Sequence, residues 1–156
     1  IAVDVSERKL QMAREFGATD LVNSAETDPV AAILELTGGV GVDYAIEAIG
    51  RPEPIRQAFE ALCKGGTAVA IGIAAKEADI PIPPQTLVYG ERRLVGSFYG
   101  STRPRADFAR FVDLYLAGKL KLDQLVTREW RLDQINEAFA AMNAGEVARG
   151  IINQFA

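Results

Sequence analysis

Short apolar runs alternate with stretches of helical period through the first half of the chain, the pattern of β-α units folded around a parallel sheet. Ile1–Asp4 (IAVD) reads as a strand that ends on a carboxylate. Ser6 stands where it would cap the next helix, with Glu7 in the first turn and Gly17 as its stop. Asp20–Val22 is a second short strand. Asp28 then caps a helix with Pro29 at its first position; Ala32, Ile33 and Leu36 share a face, and Gly38–Gly39 end it. Val42–Ile49 (VDYAIEAI) is mostly apolar, which predicts a strand covered on both faces. After Pro52 and Pro54, the residues Ile55, Phe59 and Leu62 recur at i, i+4 and i+7, a helix that Gly65–Gly66 would close. Thr67–Ile73 (TAVAIGI) is the next strand.

The segment Ala74–Gly90 holds Pro81, Pro83 and Pro84, has no helical period and reads as a long surface loop. Arg92–Phe98 is a further strand whose two arginines suit a sheet edge. Beyond Gly100 the pattern turns helical. Arg105–Ala117 sets Phe108, Phe111, Val112 and Tyr115 on one face, and Asp133–Ala144 does the same with Ile135, Phe139 and Met142. Ala148–Phe155 reads as a closing strand. The fold class this predicts is α/β: a Rossmann-like, doubly wound parallel sheet followed by a C-terminal helical segment and a final strand. The boundary between these parts falls at residue 98, giving regions 1–98 and 99–156.

Composition narrows the function. At 156 residues and 49% hydrophobic, the chain can bury a core and is not of disordered type. A net charge of −4 and a pI near 4.9 argue against nucleic acid or an anionic membrane as partner. No apolar run approaches the roughly 20 residues of a membrane span, and no N-terminal signal pattern is present. The one cysteine, Cys63, excludes an internal disulfide and fits a reducing, cytoplasmic setting. Histidine is absent, which removes every His-based triad and the commonest metal ligand. Chemistry complete within this chain would rest on Asp, Glu, Lys, Tyr or one Cys. Ile1 begins in the middle of what reads as a strand, so the chain is expected to be a piece of something longer.

Asp4 is the most informative residue. A carboxylate at the carboxyl end of a parallel strand sits where α/β sheets bind ligands, and there it accepts hydrogen bonds from ribose hydroxyls of a dinucleotide. The alternative is a solvated Asp ahead of a capped helix. The glycine-rich turn that would hold the pyrophosphate belongs upstream of Asp4. Gly38–Gly39 and Gly65–Gly66 follow helices and read as helix stops, not phosphate loops. Ile49-Gly50-Arg51 and Ile71-Gly72-Ile73 both stand where a strand runs out; glycine between branched side chains permits a flat ligand to approach. A tight strand-to-loop turn is the plainer alternative. Asp43 and Glu47, inside an apolar strand, are candidate buried acids, though a pairing with nearby backbone or a cation is the commoner role. Cys63, read as helical, has no histidine to activate it and is assigned to structure.

The stretches IAVDVSERKLQMAREFGATDLVN, GVDYAIEAIGR, KGGTAVAIGI, RRLVGSFYGS and GEVARGIINQF, in this order, resemble the C-terminal half of a medium-chain dehydrogenase/reductase, most closely the zinc-dependent alcohol dehydrogenases. The resemblance implies NAD as cofactor, with Asp4 and Lys9 at the adenosine ribose. It implies Ile49, Gly50 and Arg51 beside the adenine and the nicotinamide-side ribose, and Ile71, Gly72 and Ile73 at the nicotinamide carboxamide. Ser97, Phe98 and Tyr99 would make further backbone contacts to that carboxamide, and Arg149 would reach the phosphates. It also implies that the zinc ligands and proton-relay residues lie upstream of Ile1, so that no catalytic or metal-binding residue is assigned within this chain. The sheet should lack its central strand, leaving a gap between Ile1–Asp4 and Val42–Ile49. An alcohol or aldehyde is the implied substrate, and a homo-oligomer joined at the edge Arg92–Phe98 the implied assembly. A zinc-free quinone or enoyl reductase of the same superfamily is the nearest alternative; those commonly take NADPH and lack the acid at Asp4. A methyltransferase and a non-catalytic nucleotide-binding module are the more distant ones.

Overall fold

The computed structural model describes residues 1–155, which cluster into two compact units, 1–102 and 103–155. In the first, β1 (Ala2–Asp4) leads through α1 (Glu7–Glu15) to β2 (Leu21–Asn23), which pairs with it in parallel, Val3 opposite Val22. Then α2 (Pro29–Leu36) leads to β3 (Val42–Glu47), α3 (Pro52–Glu60) to β4 (Leu62–Ala70), and α4 (Pro84–Gly90) to β5 (Arg93–Gly96). The last three strands form a parallel sheet in the order β3-β4-β5. This is the parallel, doubly wound architecture expected. Among the described residues no ladder joins β1 to β3, so the sheet is interrupted where the central strand was expected to be missing.

Packing explains which face of the sheet is inside. Phe59 of α3, with Leu62 and Ala68 of β4, forms the buried cluster, and Val42, Ala45, Ala58, Ile82 and Leu94 close around it. Each large side chain so buried contributes roughly 1.5–3 kcal/mol. The opposite face of β3 is bare: Tyr44 is 73% and Ile46 68% exposed. The expectation that this strand is covered on both faces is therefore corrected, because α3 covers only the side carrying Ala45 and Glu47.

Local signals fared unevenly. The Asp28 side chain accepts from the Ala31 N–H at 2.8 Å with Pro29 in the first turn, and Gly38 and Gly39 end α2 as expected. Ser6 occupies the N-cap of α1 but makes no side-chain cap bond. The helix expected to run to Gly65–Gly66 stops at Glu60. The Ala61 carbonyl is taken by the Val42 N–H at 2.9 Å, which starts strand pairing early, and Cys63 lies in β4 rather than in a helix. The glycine pair sits in an irregular stretch of that strand, where the register slips between Val42↔Leu62 and Tyr44↔Thr67. Both β3 and β4 end sooner than expected, at Glu47 and Ala70, so Ile49 and Ile71–Ile73 lie just past the strands. The proline-rich segment is not all loop, because Pro84 opens α4 from the first-turn position that suits proline. Finally, β5 is shorter than Arg92–Phe98.

In the second unit, α5 (Pro104–Leu116) precedes a 3₁₀ turn (Asp123–Leu125), β6 (Val126–Arg131), a second 3₁₀ turn (Leu132–Gln134), α6 (Ile135–Asn143) and β7 (Arg149–Gln154). Strand β6, which the sequence reading did not anticipate, pairs in parallel with β7. Among the described residues of this unit, Trp130 of β6 and Ala141 of α6 are the buried ones, and the Arg128 guanidinium lies 4.9 Å from the Trp130 ring centre. No residue of α5 is buried.

The Tyr115 hydroxyl donates to Asp123, 2.9 Å from both carboxylate oxygens. That bond, reinforced by the negative charge, raises the phenol above its ordinary value of 10.0. The folded state thus holds this proton more tightly than the unfolded one. The contribution to stability is complete below the unfolded value and is lost as pH rises through the raised one. Asp123→Asn is expected to lower the pH at which Tyr115 ionises in an ultraviolet titration. A titration curve that the substitution leaves unchanged would contradict this.

Candidate functional site

Because β3, β4 and β5 run parallel, their carboxyl ends lie along one edge of the sheet. Two backbone bonds extend the order past the strands: the Ile71 N–H donates to the Glu47 carbonyl at 2.8 Å, and the Ser97 N–H to the Ala70 carbonyl at 2.9 Å. Ile49–Arg51, Ile71–Ile73 and Ser97–Tyr99 are thereby brought to one edge, three segments that sequence alone placed apart.

The first two segments touch through backbone. A Cβ placed on Gly72 would fall on the Gly50 amide nitrogen and lie 2.5 Å from the Gly50 Cα. One placed on Gly50 would lie 2.6 Å from the Ile73 nitrogen, and Gly50 has a φ of +83° that disfavours any side chain. Along the strand-end edge the side chains of Ile49, Ile71, Ile73, Phe98 and Tyr99 are open to solvent, with the last two rings edge to face at 5.1 Å. The strip is flat at its glycines and apolar at its rim.

Asp4 ends β1, as expected, and is half-buried. Its Oδ1 accepts the Ser6 N–H at 2.9 Å and its carbonyl accepts the Ser24 N–H at 3.1 Å, which fixes the carboxylate at the mouth of the β1–β2 pair. Lys9 is exposed on α1. Arg149 belongs to the second unit, exposed at the start of β7. Of the two acids in β3, Glu47 is the buried one and is paired with backbone: its Oε1 accepts the Ile49 and Gly50 N–H groups, each at 2.7 Å. The sequence pointed to such a pairing without showing which amides it joins.

Asp43 is exposed and lies 3.5 Å from the Cys63 sulfur. Burial first, and the bond to Asp43 second, push the Cys63 thiol up, away from nucleophile and from metal ligand alike. Among the described residues no group of three His, Cys, Asp or Glu side chains could hold a metal ion. The residues present do not fit a zinc site.

Residues 1–117 match the family described as zinc-binding dehydrogenase. The chain is 40% identical over 155 residues to alcohol dehydrogenase class-3 of Drosophila melanogaster, covering 96% of this chain and 40% of that protein. It is 37% identical over 155 residues to alcohol dehydrogenase 1 of Oryza sativa subsp. indica, covering 97% and 40%. Benzyl alcohol dehydrogenase from Acinetobacter calcoaceticus superposes with a TM-score of 0.93 at 34% identity, over 99% of this chain and 42% of that one. The chain thus spans about 40% of the length of the curated relatives it matches.

Proposed function

Since the chain belongs to the zinc-binding dehydrogenase family, we propose that it supplies the NAD-holding part of an alcohol dehydrogenase whose metal ligands and proton-relay groups come from residues outside it. The observation that carries the reading is the convergence of Ile49–Arg51, Ile71–Ile73 and Ser97–Tyr99 on one strand-end edge. When bound, NAD supplies the acceptor for the hydride that an alcohol carbon gives up. The chain's part is to bind and orient. Asp4 receives ribose hydroxyls, the Gly50–Gly72 backbone lets the cofactor lie close, and the apolar rim keeps water from one face of the ring. Lys9, exposed on α1, adds positive charge toward the ribose. No proton transfer and no metal-dependent step is assigned to these residues.

We further infer a homo-oligomer, and the sheet edge is what supports it. Among the described residues strand β5 pairs only with β4; Val95 within it and Phe98 just past it are exposed. Two copies related by a two-fold axis would bury this edge.

The test is the full-length protein assayed for reduction of NAD by a panel of primary and secondary alcohols. The expected outcome is NADH formation that stops when a chelator strips the metal and returns with zinc. Reduction of quinones or enoyl compounds with NADPH, indifferent to the chelator, would replace this reading with that of the zinc-free reductases.

A further inference from the structure

We propose that Glu47 is the positioning residue of the strand-end edge, holding the Ile49–Gly50 turn against the end of β4 in the form a dinucleotide meets. The proposal rests on the reading of that edge as the cofactor site. Four backbone amides converge on this one residue. Its carboxylate Oε1 takes the N–H groups of Ile49 and Gly50 at 2.7 Å each. Its carbonyl takes those of Ile71 at 2.8 Å and Gly72 at 3.3 Å. Glu47 thus ties both cofactor-facing segments to the same point of β3.

The chemistry of the site favours this role over simple packing. Glu47 is 5% exposed, and its Oε2 is buried with no hydrogen-bond partner among the described residues. A buried carboxylate is costly to keep, and an apolar residue would fill the same space more cheaply. Such a residue would leave two consecutive amides unsatisfied in a turn. With the carboxylate in place both amides are turned inward, while the Ile49 and Arg51 side chains stand in solvent. Both amides already have an acceptor in this arrangement, so the turn is set before a ligand arrives.

Two variants of the full-length protein separate positioning from bulk. Glu47→Gln keeps an oxygen for both amides, and Glu47→Met keeps the volume and loses the acceptor. Glu47→Met is expected to raise the NAD dissociation constant and the KM for NAD about tenfold or more, as loss of the acceptor of two buried amides implies. Its kcat at saturating NAD should change far less, and Glu47→Gln should stay near the unmodified protein on every measure. Backbone hydrogen exchange gives a readout that needs no variant. In the cofactor-free, unmodified protein the amides of Ile49 and Gly50 should exchange much more slowly than other amides of the exposed strand-end segment. Fast exchange at both, or a folded Glu47→Met that binds NAD as tightly as the unmodified protein, overturns the proposal. If the unmodified protein binds no NAD at all, the cofactor reading falls instead, and the exchange measurement still decides whether the clamp exists.

Discussion

Gly72→Ala is expected to destabilise the first unit by about 3 kcal/mol and to abolish measurable cofactor binding. The added methyl would meet backbone: the Gly50 amide nitrogen, the Gly50 Cα at 2.5 Å and the Ile49 carbonyl carbon at 2.6 Å. A side chain in the way can change rotamer, whereas these atoms move only if the turn moves. The turn is held by Glu47 on one side and by the β4 end on the other. Relief therefore means prising the two strand ends apart, which breaks the Ile71 and Gly72 bonds to Glu47 and opens the edge where the cofactor is proposed to lie. Gly96, at the end of β5, is the matched control. A Cβ there meets nothing within 4 Å, and its φ lies outside the range that disfavours side chains. Gly96→Ala should leave stability within about 1 kcal/mol of the unmodified protein. Denaturant unfolding of the two variants, with a cofactor titration beside it, makes the comparison; equal stability of Gly72→Ala and Gly96→Ala would contradict the backbone contact.

Much of this site was legible because its signals are local. Asp4 ends an apolar run, and a carboxylate there is read without knowing what the strand pairs with. The Asp28–Pro29 start of α2 is likewise a matter of adjacent residues, and the structure shows the bond it implies. Glycines at 50 and 72 marked two strand ends, but that they lie on each other is a tertiary fact. It depends on β3 and β4 being neighbours in parallel register, Glu47 opposite Ala70.

The failures share that cause. The stripe Ile55, Phe59, Leu62 keeps helical spacing to its last member, yet Leu62 already belongs to β4. Both roles bury it, and periodicity cannot distinguish them. Strand β6 carries Arg128, Glu129 and Arg131 around one buried residue, Trp130, so its alternation was masked by charge. In α4 the apolar residues Leu87, Val88 and Tyr89 are consecutive, which gives no stripe to detect. The bareness of Tyr44 and Ile46 was invisible for the opposite reason: an apolar run signals that burial is wanted, not which neighbour provides it.

The second large effect concerns Asp4 and the choice between NAD and NADP. A 2′-phosphate on the adenosine ribose would bring its charge within a few ångströms of the carboxylate. At 4 Å and an effective dielectric of about 20, two unit charges of one sign repel by roughly 4 kcal/mol. Asp4 is half-buried, so solvent reduces that figure, and about 1.5–2 kcal/mol of preference for NAD is expected to remain, a factor of roughly ten to thirty. Asp4→Asn isolates the charge. Asparagine retains an oxygen for the Ser6 N–H now bound by Oδ1, so the turn into α1 keeps its form. Gly or Ser at the same place would remove that bond as well and should favour NADP further.

The decisive measurement is the ratio of NAD to NADP dissociation constants in the full-length protein and in its Asp4→Asn variant, at one ionic strength. The account predicts at least tenfold tighter binding of NAD by the unmodified protein and a ratio near one in Asp4→Asn. Equal affinity for the two cofactors in the unmodified protein, or a ratio that the substitution leaves where it was, would contradict the assignment of the ribose to Asp4 and with it the site built around the strand ends.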